Sequence, residues 1–241
     1  MNYARKNYLT SRFTACSRRC SSQIMEYFMI EFHIVSYNER SVRINDLFKL
    51  RKITFKDRLN WDVICINDFE CDEYDNENAT YLIGVKDNSI ICSNRFIPMS
   101  KPNMIENTFS LCFDDISMPI KNQIESSRFF VDKKRVSKIK NKDLICTLHF
   151  IAMMSYGIMH SYRGIYTLVS HPMLKILQRS GWKIDVIKKG KAPDKDEYIY
   201  IVFMPTTELH KQPLIERIDE RIQMSDLYKW PLSFKLTTME H

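Results

Sequence analysis

The sequence predicts an α/β protein, a single αβα sandwich on a mixed β-sheet, and three observations carry that expectation. Strand-like runs fill the middle of the chain, with helical patterns before and after them. The stretch from Leu144 to Tyr162 contains no Asp, Glu, Lys or Arg, yet it keeps Thr147, His149, Ser155, Gly157, His160 and Ser161. That is too polar for a lipid-facing span and suits a helix buried between layers. Glycine is scarce, five in 241 residues, and no two form a phosphate-cradling G-x-G. This argues against a Rossmann cofactor domain or a P-loop.

Taken in order, residues 1–28 are basic and Ser-rich without the apolar run of a secretion signal. They read as a disordered extension or an over-early start, with Met25 and Met29 as later starts and an organellar transit peptide as the minor reading, ahead of one domain over 29–241. The strand pattern "MIEFHIVSY" begins at Met29. A helix is expected from about Val42 to Leu59, with Leu47, Phe48, Leu50, Phe55 and Leu59 as core contacts. After the acidic loop "NDFECDEYDNENAT", strands are expected at 80–86 and 89–97 across a "KDN" turn, then at about 107–114 and 123–132. The buried helix spans 143–162. "GIYTLVS" is a strand feeding a helix from Pro172 to Ser180 that Gly181 stops. "WKIDVIK" and "EYIYIVF" are strands, and the last 35 or so residues are a loose helix plus tail.

A hydrophobic fraction of 44% with 12% aromatics supports a packed core rather than disorder. Residues 1–28 hold +4 of the net charge of +7, so the body is only mildly basic and names no partner by itself. Seven scattered cysteines, without paired Cys or His spacing, fit a reduced cytoplasmic chain and no zinc site.

Four clusters carry candidate chemistry. In "LRKITFKDRLNW", Arg51 and Phe55 share a helix face and Trp61 lies just beyond the helix; spacing alone makes this an amphipathic helix with aromatics in the core. In "CDEYD", Asp72 and Asp75 are either solvated or a pair that binds a cation or locks onto Arg51. "IESSRFFVDKKR" is pitched as a strand with polar groups on both faces. A period of two places Glu125, Ser127, Phe129 and Val131 together, and Ser126, Arg128, Phe130 and Asp132 together. Glu125 and Arg128 form a structural ion pair or line a cleft where strands splay; burying either alone would cost several kcal/mol. The basic run Lys133, Lys134, Arg135, Lys138, Lys140 and Lys142 is a solvated turn or a docking patch for an acidic macromolecule. It lacks the interleaved aromatics that nucleic acid would stack on.

In order along the chain, "LFKLRKITFKDRLNWDV", "DEYD", "SNRFIP", "ESSRFFVD" and "GIYTLVSHPMLKILQRSGW" resemble the LuxI-type acyl-homoserine-lactone synthases, the autoinducer synthases of quorum sensing. The resemblance spans roughly Met29 to Pro205 and is nearest to members making 3-oxo-acyl signals. Arg51, Phe55, Trp61, Asp72, Asp75, Arg95, Phe109, Glu125, Arg128 and Phe129 match the family's signature positions. The resemblance implies a splayed, GNAT-acyltransferase-like fold. It implies acyl transfer from acyl carrier protein to S-adenosylmethionine, then lactonisation that releases 5′-methylthioadenosine. It further implies Arg51, Phe55, Trp61, Asp72, Asp75 and Arg95 around S-adenosylmethionine, and Glu125, Ser127, Arg128 and Phe129 at the chemistry. Met153 and Thr167 would line the acyl tunnel, with the threonine bonding a 3-oxo group and 3-oxohexanoyl expected first. Lys133, Lys134, Arg135 and Lys138 would dock the carrier protein. S-adenosylmethionine enters as substrate, with no bound cofactor or metal, no nucleic acid or membrane partner, and a monomeric enzyme. Two rivals are a GNAT-type N-acyltransferase using acyl-CoA and a basic binding module without activity.

Overall fold

The structure, a computed structural model, describes residues 26–39, 42–118, 121–137, 139, 142–192, 197–218 and 222–238. Eleven strands and four α-helices are assigned among them. The strands are β1 (Glu26–Ser36), β2 (Cys65–Ile66), β3 (Phe69–Glu70), β4 (Thr80–Lys86), β5 (Ser89–Pro98), β6 (Gln123–Val131), β7 (Gly164–Ser170), β8 (Asp185–Lys191), β9 (Tyr198–Pro205), β10 (Ile222–Met224) and β11 (Leu232–Thr238). The helices are α1 (Val42–Arg51), α2 (Lys142–Met159), α3 (His171–Arg179) and α4 (Glu208–Ile215). Nine strands form one sheet in the order β10-β11-β1-β4-β5-β6-β7-β9-β8, and β2 pairs with β3 separately.

β6 and β7 are the parallel neighbours of this otherwise antiparallel sheet, and they pair only from Gln123↔Gly164 to Ser126↔Thr167. Both strands run on, to Val131 and Ser170, so they part beyond that point. The sheet is thus mixed and splayed. One face carries α1, whose Leu47 and Leu50 pack with Tyr81, Ile83, Val85, Ile90 and Phe130. The other carries α2, α3 and α4, with Ile145, Leu148, Ile151, Met153, Leu174, Leu177 and Leu214 in the main core. β5 is buried on both faces from Ile90 to Ile97, as a central strand must be. The β4–β5 hairpin closes through Asp87 and Asn88 at φ of 48° and 59°, the left-handed pair that a twisted two-residue turn requires. Gly181, at φ +89°, ends α3 where a side chain would be strained.

Several expectations need correction. β1 begins at Glu26, inside the stretch expected to be disordered, while residues 1–25 lie outside the described residues. The first helix widens after Arg51 into a π-turn, Lys52–Arg58, and Leu59 is exposed rather than core. Asn60, at φ 50°, turns the chain away. No strand forms at 107–114. A π-turn (Met104–Thr108) and a 3₁₀ turn (Ser110–Cys112) stand there, because the Asn103 side chain accepts from the Glu106 N–H and caps a helical turn. "WKIDVIK" enters its strand only at Asp185, since Trp182 is drawn into the core and donates through Nε1 to the Pro205 carbonyl at 2.9 Å. The chain beyond α4 is no loose tail. β11 zips along β1 from Glu26↔Thr238 to Phe32↔Leu232 and buries Leu232, Phe234 and Leu236. Each such side chain contributes about 1.5–3 kcal/mol over an exposed one.

Candidate active site

The irregularity of "IESSRFFVDKKR" is a β-bulge. Arg128 sits at φ 54°, and Arg128 with Phe129 stands opposite the single residue Asn94 between the pairs Arg95↔Ser127 and Ser93↔Phe130. A positive φ at a non-glycine residue costs about 1–3 kcal/mol, so its surroundings must hold it there. They do: Arg128 Nε donates to Glu70 at 3.0 Å and Nη2 to Asp72 at 2.8 Å. The bulge shifts the alternation by one. Glu125, Ser127 and Arg128 serve the α1 face, whereas Phe129 turns to the α2 face and stacks on His149 at 4.7 Å and Phe150 at 5.4 Å. The expected grouping of Phe129 with Glu125 and Ser127 is therefore overturned. So is the Glu125–Arg128 ion pair, because each finds another partner.

On the α1 face three guanidiniums and three carboxylates close a ring. Arg51 forks onto Asp75 with two bonds of 2.8 Å and also bonds Glu70. Glu70 reaches Arg128, and Arg128 reaches Asp72. Asp72 takes Arg95 Nη1 at 2.5 Å, and the same nitrogen lies 2.9 Å from Asp75. Each carboxylate bridges two arginines. The ring is neutral and nearly solvent-free, with Arg51 at 1% exposure and Arg95 at 0%. An unpaired charge in such a place would cost several kcal/mol, which is why the members occur as a set. Tyr81 adds a hydrogen bond to Asp75 at 2.8 Å. Burial alone would raise the Asp75 carboxyl, but Arg51 and Arg95 hold it well below the usual carboxylate range.

Aromatic groups flank the ring. Phe55 stacks on Trp61 at 5.0 Å, and the Arg128 guanidinium lies 5.7 Å from the Phe55 ring centre. The π-turn makes this possible: the Trp61 N–H donates to the Phe55 carbonyl at 2.8 Å, folding the tryptophan back over its neighbour. Phe109 caps the second π-turn and packs beside Tyr74 and Met104.

Glu125 adjoins the ring without joining it. Its Oε2 accepts from the Ile105 N–H at 2.9 Å, while its Oε1 is buried and makes no well-formed hydrogen bond among the described residues. Burial pushes its carboxyl above the ordinary value; the Ile105 N–H, Arg95 and Ser127 oppose this in part. Ser127 accepts from Arg95 Nε at 3.2 Å.

Met153 and Thr167 lie away from the ring, both buried. Met153 is in the main core, and Thr167 shares its face of β7 with Ile165 and Val169 of that core. Lys133 and Lys134 are exposed just past β6. Arg135 is committed to Asp46 at 3.0 Å and the Ile90 carbonyl at 2.8 Å, and Lys138 lies outside the described residues.

Two features escape sequence reasoning. Glu70 sits in a two-residue strand with no periodicity, and only its place two residues before Asp72 hints at a shared cluster. His149, noted only as a polar residue of the buried helix, forms a relay: its Nε2 meets Asn94 Oδ1 at 2.8 Å, and Asn94 Nδ2 donates to Ser126 Oγ at 3.1 Å. Among the described residues no cluster suits a metal ion, and no helix is long and apolar enough to cross a membrane.

A model of the autoinducer synthase family matches residues 36–214. An acyl-homoserine-lactone synthase of Dickeya dadantii is 50% identical over 196 residues, 81% of this chain and 90% of that protein. One from Pectobacterium parmentieri is 47% identical over 87% of this chain and 98% of the relative. Among solved structures, the AHL synthase LasI aligns at TM-score 0.68 and 19% identity, over 80% of this chain and 98% of that one. BjaI, a CoA-dependent acyl-homoserine lactone synthase determined with MTA, aligns at 0.69 and 18%, over 78% and 89%. Those two likenesses establish a shared fold, and the sequence matches establish kinship. The chain belongs to the autoinducer synthase family, the acyl-homoserine-lactone synthases, and is an acyltransferase.

Proposed function

We propose that this acyltransferase joins an acyl group, 3-oxohexanoyl first, from acyl carrier protein to the amine of S-adenosylmethionine and then closes the lactone. The observation that carries the reading is the meeting, at the β6 bulge, of a neutral ring of six charges with one buried carboxylate that has an oxygen to spare. S-adenosylmethionine bears an ammonium, a carboxylate and a sulfonium. A ring in which every charge is already doubly paired can exchange internal contacts for such a ligand without stranding an ion. Trp61 and Phe55 offer the sulfonium an aromatic face worth about 0.5–2 kcal/mol.

The α-amine, with an ordinary pKa of about 8, is largely protonated near neutrality and needs a base. Glu125 serves, directly or through a water held by Ser127, and its raised pKa suits a proton acceptor better than an ordinary glutamate would. The amine nitrogen attacks the thioester carbonyl and the carrier thiol departs. Backbone N–H groups where β6 leaves β7, near Phe129, donate to the oxygen that gains charge. The substrate carboxylate then attacks its own γ-carbon and expels the sulfur as 5′-methylthioadenosine; the sulfonium is a ready leaving group, so positioning suffices.

On the α2 face the acyl chain passes Met153, whose flexible thioether adapts to a chain-shaped space. Thr167 bonds the 3-oxo oxygen. Lys133 and Lys134 steer the acidic carrier protein, with Arg135 bracing their turn through Asp46. We place the enzyme in the cytoplasm as a monomer. The test is a purified-enzyme assay with S-adenosylmethionine and either acyl carrier protein or acyl-CoA donors, read by mass spectrometry. Homoserine lactone formed from the carrier-protein thioester is expected. Product only from the CoA thioester replaces the donor, and no lactone from either rejects the reading.

A further inference from the structure

The ionic face is fully occupied by the chemistry above. On the opposite face the His149–Asn94–Ser126 relay has no part in it. His149 is completely buried on α2, with Phe32 at 5.6 Å and Phe129 at 4.7 Å from its ring centre. A core of this kind would be served as well by a phenylalanine, unless the imidazole nitrogens matter. Burial holds the ring neutral, with its pKa lowered to about 3, so it has one N–H and one bare lone pair.

The relay's polarity follows from its ends. Nδ1 has no partner among the described residues. If Nε2 carries the proton and donates to Asn94 Oδ1, the orphan is a lone pair. If the amide were turned around, the orphan would be a buried N–H, a rarer and costlier state. The favoured arrangement therefore has Asn94 Nδ2 donating to Ser126 Oγ. Having accepted that bond, the serine directs its own O–H elsewhere, and the Asn94 bond is the only side-chain hydrogen bond found for Ser126 among the described residues. Ser126 is the last residue of β6 to pair with β7, and its partner there is Thr167.

We infer that His149, acting through Asn94, holds the Ser126 hydroxyl as a hydrogen-bond donor toward the C3 position of the acyl chain. His149 is thereby a positioning residue for 3-oxo selectivity. The inference rests on the proposal that the chain lies on this face beside Thr167. Two hydroxyls at paired positions, one on each side of the parting strands, then converge on one carbonyl oxygen. Fixing the serine's polarity from a buried ring spares the orienting entropy that a free hydroxyl would lose on binding.

The test is a competition between equal amounts of 3-oxohexanoyl and hexanoyl carrier protein, read as the ratio of the two lactones. That ratio does not depend on how much enzyme is folded. His149→Phe keeps the stacking and removes the N–H; the 3-oxo to unsubstituted ratio should fall roughly fivefold, the loss of one ordinary hydrogen bond. His149→Gln keeps an N–H within reach of Asn94 and should restore most of the ratio. In a Ser126→Ala background, His149→Phe should change nothing further. A wild-type ratio in His149→Phe, an equal loss in His149→Gln, or a full effect of His149→Phe without Ser126 overturns the inference. Wild-type enzyme yielding no lactone from either donor instead overturns the function beneath it.

Discussion

The two faces of β6 solve opposite problems within the five residues from Glu125 to Phe129. Toward α1, Ser127 and Arg128 bond into a neutral ring of paired charges, and Glu125 lies beside it with one oxygen unmatched. Toward α2, Ser126 and Phe129 enter a largely apolar core, where the His149–Asn94–Ser126 relay and a few buried hydroxyls such as Ser155 and Thr167 are the polar groups. A regular strand would have put Phe129 among the charges and Arg128 against His149 and Phe150. One extra residue reverses this, and its conformational strain is offset by two ion pairs to Arg128. Under the proposed function, polar substrate and fatty chain would be held on opposite faces of this one strand and meet where it parts from β7.

The largest break in this comparison comes from the ionic side. Asp75→Asn keeps shape but leaves Arg51 and Arg95 short of a counter-charge, and should lower stability by about 3–5 kcal/mol in urea unfolding. A loss below 1 kcal/mol would mean the ring is solvated in practice. Glu125→Gln should keep the Ile105 bond and the fold while kcat/KM drops by about 10²–10⁴. In the wild type the base form of Glu125 grows as pH climbs through its raised pKa, so kcat/KM should rise on an acid limb set above the ordinary glutamate value. That limb should vanish in the variant; activity lost only along with folding would remove Glu125 from the chemistry. On the apolar side, Thr167→Val should cut the preference for 3-oxo chains roughly five- to tenfold with total turnover little changed, and an unaltered product ratio rejects the assignment. The smallest effect is at the surface. Lys133→Glu with Lys134→Glu should raise the KM for carrier protein a few-fold at low salt and converge with wild type at high salt. Indifference to salt in both proteins argues against docking there.

The legible parts of this molecule are those where one pattern runs undisturbed. β4, the "KDN" turn, β5 and α2 follow from short apolar, β-branched runs on either side of left-handed turn residues and from an uncharged apolar stretch. The π-turns at 52–58 and 104–108 were not legible, because they differ from an ordinary helix or loop only in which carbonyl each N–H chooses. The bulge was hidden for a like reason: a period of two is the only rule a strand offers, and nothing in "SSRFF" announces where it fails. Arg51, Asp72, Asp75 and Arg128 are visible as candidates and Arg95 enters through the family resemblance, while Arg51 is only one of the partners the sequence offers to Asp72 and Asp75; the structure gives it Asp75 and Glu70. Their closure through Glu70 is not visible, since it joins five elements that the sequence leaves separate. β11 went unread although "LSFKL" alternates cleanly, because its partner β1 lies some 200 residues away.

That last pairing has a practical bearing. The family match begins at residue 36 and stops at 214, so it leaves out nearly all of β1 and all of β10 and β11. Trimming the chain to those limits would uncover Leu82 and Ile83 along a bare sheet margin and invite sticking between molecules. Fragments for crystallisation or fusion should keep both outer strands, whatever the limits of the family model suggest.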